Sequence, residues 1–233
     1  TFRQKAEGFV ACIKNRFPHF SEAKFFWFFT LFTFLERQSD IFILSLFIDE
    51  NILGGYFLSL RIYLTVNLLI EVVAQALTPF ISRVFRGKEA VGFKTFFNYL
   101  FILSLLAGIV LGLLLFFTKD FIISLFNKDL VRAAGPFLAV LAFAVPFKVG
   151  AYILGSIMSS SQYQKARFYI GQFTTLFFVI ALVLLAKFYS AIGAVYARAA
   201  FEVVVYVISL IFVYSSCLRR PGGFFEKSPP GPP

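Results

Sequence analysis

The chain has 233 residues, 59% of them hydrophobic and 20% aromatic, with a mean hydropathy of +0.83, which excludes a soluble globular protein. Lys and Arg total 22 against 12 Asp and Glu, a net charge of +10. With so little polar surface, that excess belongs in loops on one side of a bilayer, and a nucleic-acid partner is not expected.

Residues 1–24 form a basic segment in which Phe2, Ala6, Phe9, Val10, Ile13 and Phe17 recur at helical spacing between Arg3, Lys5, Lys14 and Arg16. The pattern fits an amphipathic helix in the cytoplasmic interface ending at Pro18, or equally an ordinary basic flank. The first residue is Thr1, and no basic n-region followed by a short apolar stretch and a cleavage site is present. The expectation is a fragment without a removable signal peptide.

A spanning helix needs roughly 20 mostly apolar residues. Six such runs follow, at 25–48, 56–81, 96–117, 133–158, 168–187 and 191–214. They are continuously apolar, unlike barrel strands, so the predicted class is all-α and polytopic, with six transmembrane helices filling a domain over 25–214. The tail, 215–233, is basic and then Pro/Gly-rich, and is expected to be disordered with no binding role. Fourteen basic residues fall before the first span, after the even-numbered ones and between the fourth and fifth, Lys165 and Arg167 among them. The opposite loops carry only Lys119, Lys128, Arg132 and Lys187, offset by four acids, so both termini are expected to be cytoplasmic. Cys12 and Cys217 then face the reducing side, and no disulfide is expected.

Ionisable groups at bilayer depth cost about 2.5–3.5 kcal/mol each and need a partner, a wet cavity or a function. Eight are present: Glu36, Arg37 and Asp40 in the first span, Arg61 and Glu71 in the second, Lys148 in the fourth, Arg198 and Glu202 in the sixth. At 100° per residue, Thr30, Thr33, Glu36, Arg37 and Asp40 share one face of their helix. Arg61, Thr65, Asn67, Glu71, Gln75, Thr78 and Ser82 fall within somewhat under half the circumference of the next, a stripe better matched to a wet cavity than to lipid. The third and fifth spans are expected to be lipid-facing supports. Arg198 and Glu202, four apart, are expected to be a structural pair. Arg61 could equally snorkel to the outer interface, and Lys148 lies beside Pro146, which should kink its helix. No His/Cys cluster and no Walker loop occurs, so neither a metal, a cofactor nor direct ATP coupling is expected.

The first span (FLERQSDIFILSLF), the stretch DENILGGYFLSLRIYLTVN, the exit TPFISRVFRGKEA, the outer stretch FFTKDFIISLFNKDLVRAAGPFLAVLAFAVPF and the opening of the last helix, YSAIGAVYARAAFEVV, together resemble the second half of O-antigen-type polysaccharide and oligosaccharide flippases. These belong to the multidrug/oligosaccharidyl-lipid/polysaccharide exporter superfamily. The resemblance implies one bundle of a two-bundle, alternating-access transporter in a bacterial or archaeal cytoplasmic membrane, whose partners are a missing N-terminal half, membrane lipids, a lipid-linked oligosaccharide, and assembly proteins such as a glycan polymerase. It implies substrate contact by Arg37, Arg61 and Lys148, because basic groups suit pyrophosphate oxygens. Glu36, Asp40 and Glu71 become candidates for ion coupling or for holding the arginines, with Asn67 and Gln75 lining the cavity. The leading expectation is a flippase of undecaprenyl-pyrophosphate-linked oligosaccharide, not an enzyme. A cation-coupled drug exporter, a lipid II flippase, a membrane enzyme using Glu36, Asp40 or Glu71, and a non-transporting assembly subunit are the competing readings.

Overall fold

The computed structural model describes residues 20–86, 90–126, 130–160 and 163–218. Most of the basic segment at 1–24, including His19, and nearly all of the 215–233 tail lie outside the described residues. Long apolar stretches with few helix breakers give five helices: α1 (Phe20–Leu44), α2 (Glu50–Arg86), α3 (Ala90–Phe126), α4 (Val131–Ser160) and α5 (Gln164–Val213), closed by a π turn, Tyr214–Leu218. No strand occurs among the described residues. α2 to α5 are each long and apolar enough to cross a membrane. α1 does not reach that standard, because Glu36, Arg37 and Asp40 interrupt its apolar run.

Among the described residues, five continuous helices stand where six spans are expected. The expected fifth and sixth are two arms of α5, interrupted only at Ser190, whose φ of 58° and ψ of −146° are non-helical. The arms double back on one another: the rings of Phe178 and Phe201, on opposite sides of the break, lie 4.9 Å apart. Gly193 sits so close to the Leu185 carbonyl that a Cβ would collide with it. One residue in a left-handed conformation therefore replaces the loop that the pattern at 188–190 implied. The other helices also outrun their apolar runs. α3 continues through Lys119 and Asp120 to Phe126, so much of the expected outer loop is helical, and α4 runs unbroken past Pro136 and Pro146.

α4 is the central helix, packed against α2, α3 and α5, with Leu138, Leu141, Val145 and Leu154 fully buried. In lipid, apolar burial supplies little drive, so close packing and hydrogen bonds hold such helices together. α3 supplies the small-xxx-small pair Gly108 and Gly112: a Cβ at Gly108 would lie 2.7 Å from Pro146 Cα, and one at Gly112 2.8 Å from the Ala142 carbonyl. That carbonyl is the one Pro146, lacking an N–H, leaves without its usual helical donor. On the other side the Ser59 hydroxyl of α2 donates to the Ala134 carbonyl at 2.8 Å. The outer face of α3 exposes Leu103, Val110, Leu113, Leu114 and Phe117, the surface expected of a helix bathed in lipid. The first arm of α5 is mixed: Phe173, Phe177 and Ile180 are exposed, whereas Thr174, Thr175 and Phe178 are buried. α1 leans on α5 and scarcely touches α2, which leaves a space between α1 and α2.

Candidate functional site

That space is a cavity of about 490 Å³ whose charged lining comes from four helices. α1 contributes Glu36 and Arg37, α2 Arg61 and Glu71, α4 Lys148, and α5 Arg167 and Arg198. Thr33, Thr65, Asn67 and Tyr152 add polar groups. Side chains three and four apart share a helix face, which is why Thr33, Glu36 and Arg37 reach the cavity together, as do Arg61 with Thr65 and Asn67 with Glu71. Gln75, Thr78 and Ser82 lie on the same stripe of α2 but beyond the cavity. Gln75 instead donates to Glu71 at 3.3 Å, and Thr78 bonds back to the Ala74 carbonyl.

The charges divide into two layers. The inner layer is buried, with Asp40, Glu202 and Arg198 at 0–1% exposure. Arg198 lies 3.8 Å from both Asp40 and Glu202, and its Nη1 donates to the Glu36 carbonyl at 2.6 Å. Tyr56 donates to Asp40 at 2.9 Å. Lys148 reaches Glu202 at 3.0 Å and Glu36 at 3.5 Å, tying α4 to α5 and α1. Arg198 and Glu202 are thus members of a network of five charged side chains and not an isolated pair. Four of its side chains come from α1 and α5, which places much of the adhesion of α1 in this charge cluster.

The outer layer faces the cavity. Arg37 pairs with Glu71 at 3.1 Å while remaining 47% exposed, and Glu71 also accepts from Tyr152 at 3.4 Å. Arg61 is exposed and stacks on the Phe57 ring at 4.8 Å, with no carboxylate in ion-pair range among the described residues. Arg167 bonds to the Ser159 hydroxyl, again without such a carboxylate. Asn67 is 4% exposed and borders the cavity. Five bases therefore stand against four acids once Asp40 and Glu202, behind the lining, are included.

Of the residues singled out in the sequence, Glu36, Arg37, Arg61, Asn67, Glu71, Lys148 and Arg198 line one cavity, with Asp40, Glu202 and Gln75 one contact behind them. Arg167 was assigned to a cytoplasmic loop and missed. The available signal was its position four residues into α5, on the same helical face as Gly171 and Thr174.

The family model described as MatE matches residues 28–185, well over half of the chain, including every charged cavity residue except Arg198 and its neighbour Glu202. Comparison with curated proteins and with solved structures gave no match.

Proposed function

The chain belongs to the MatE family of membrane exporters, and on that premise we propose that its cargo is a lipid-linked oligosaccharide carried on an undecaprenyl-pyrophosphate. Alternating access would carry that cargo from the cytoplasmic to the outer leaflet of a bacterial or archaeal cytoplasmic membrane. The single supporting observation is that Arg61 faces the cavity with no carboxylate in ion-pair range among the described residues. A guanidinium that is open to the cavity and has no carboxylate partner among the described residues is suited to phosphate oxygens, which it can grip bidentately. A cationic drug would meet the opposite arrangement, since Glu36 and Glu71 are both already held by basic groups.

In this reading Arg61 touches the pyrophosphate and Arg37 meets it as it passes along the cavity, with Lys148 adding positive charge to the lining. Glu36 and Glu71 hold those cations in place until the cargo arrives, and Asp40 with Glu202 fixes Arg198. Counting each arm of α5 as a crossing, α1 to α5 make a six-crossing bundle with both termini cytoplasmic. Its cavity, open between α1 and α2, is completed by a second bundle. The test is glycan export in cells lacking their own flippase. Restoration by the unaltered transporter, and at least about tenfold less export by Arg61→Ala and Arg37→Ala at equal abundance, is the expected result. Undiminished export by both variants refutes the assignment.

A further inference from the structure

The cavity holds two cations without a carboxylate partner among the described residues, and they stand apart. Arg61 lies ten residues before Glu71 on α2, a rise of about 15 Å at 1.5 Å per residue. Arg167 lies beyond Glu71 in the other direction, against Gly155, one turn of α4 past the Tyr152 that donates to Glu71. The Arg37–Glu71 pair therefore sits between them. A pyrophosphate is much shorter than that separation and cannot occupy both ends at once.

The Arg167 end is built to take an oxyanion. Gly155 gives the guanidinium its berth: a Cβ there would come within 3.3 Å of Arg167 Nε and 3.4 Å of its Cζ. The Ser159 hydroxyl is the bonding partner of Nη1, and a hydroxyl can both accept from the arginine and donate to an anion. Lys165, two residues earlier, lines no part of the cavity, so the placement of Arg167 in its lining is not shared by every base in this turn.

We propose that Arg167, with Ser159 and Gly155, forms a second phosphate-binding station at the α4–α5 turn end of the cavity, separate from the station at Arg61 and divided from it by the Arg37–Glu71 ion pair. This inference rests on the reading of the cargo as a phosphate-bearing lipid. A pyrophosphate head group is held first at one station and then at the other, and the intervening pair must open between the two. Glu71 keeps Gln75 and Tyr152 as donors when Arg37 swings away.

Equilibrium dialysis of radiolabelled inorganic pyrophosphate against the full chain in zwitterionic lipid discs tests this. Two equivalents are expected for the unaltered protein, and one each for Arg167→Gln and for Arg61→Gln. Gly155→Val, which keeps every charge and displaces only the guanidinium, is expected to weaken the Arg167 equivalent by about tenfold, and Arg167→Lys to retain part of it. These two variants decide the matter if Arg167→Gln does not fold. One equivalent, abolished by Arg61→Gln and untouched by Arg167→Gln and Gly155→Val, overturns the second station and leaves the cargo reading standing. No binding at all overturns both. Full displacement of the Arg167 equivalent by phosphatidylglycerol in the discs assigns the station to membrane phospholipid and overturns it as a cargo site.

Discussion

At the scale of single residues, the same side-chain types serve two purposes, separated by burial. Arg198 is 1% exposed between Asp40 and Glu202. Removing one member of a buried cluster leaves the others uncompensated, so Arg198→Ala is expected to destabilise the protein by about 3–5 kcal/mol. Arg37→Ala breaks a pair that is half open to the cavity and is expected to cost less than about 1 kcal/mol. Equilibrium unfolding in mixed micelles checks both, and equal losses would show that the two layers are not distinct. The sequence made the eight intramembrane charges plain, because each is conspicuous in an apolar run. It could not show which acid meets which base: the i, i+4 spacing of Arg198 and Glu202 pointed to a pair, whereas Glu202 lies closer to Lys148, 54 positions away. Arg167 was hidden for a different reason. A base next to a turn looks the same whether it marks the cytoplasmic face or points into a cavity, and only the approach of α4 at Gly155 decides between them.

At the scale of elements, α5 shows how far periodicity reaches. Both of its apolar arms were legible, as was a break near residue 190, but not that one residue would make the reversal. Ser190 lies close to a region of backbone space occupied almost solely by glycine, which costs a non-glycine residue about 1–3 kcal/mol. Ser190→Gly is therefore expected to raise the melting temperature and Ser190→Val to lower it, as followed by thermal unfolding in detergent. A lower melting temperature for Ser190→Gly would mean that the turn is not strained. Pro146 in α4 teaches a related lesson: its lost hydrogen bond does not end the helix, because α3 packs on the freed carbonyl at Gly112. The GIVLG spacing of Gly108 and Gly112 is a sign of close helix packing legible in the sequence.

At the scale of the whole molecule, the chain is a multi-pass membrane protein of the MatE family, and the topology and cargo proposed for it rest on charge placement. In the proposed orientation, with both termini cytoplasmic, the α5 reversal lies at the outer face. A membrane-impermeant thiol reagent added outside intact cells is expected to label the Ser190→Cys variant there, while native Cys12 and Cys217 react only after permeabilisation. Labelling of the Ser190→Cys position only after permeabilisation would invert the topology. The measurement that bears most directly on cargo is flipping in proteoliposomes containing the purified transporter, supplied in parallel with a fluorescent polyprenyl-pyrophosphate oligosaccharide and a cationic dye. Movement of the glycan lipid, lost in Arg61→Ala, with no accumulation of the dye, is the expected result. Accumulation of the dye with the glycan lipid unmoved would contradict a phosphate-bearing cargo and make the protein an exporter of cations.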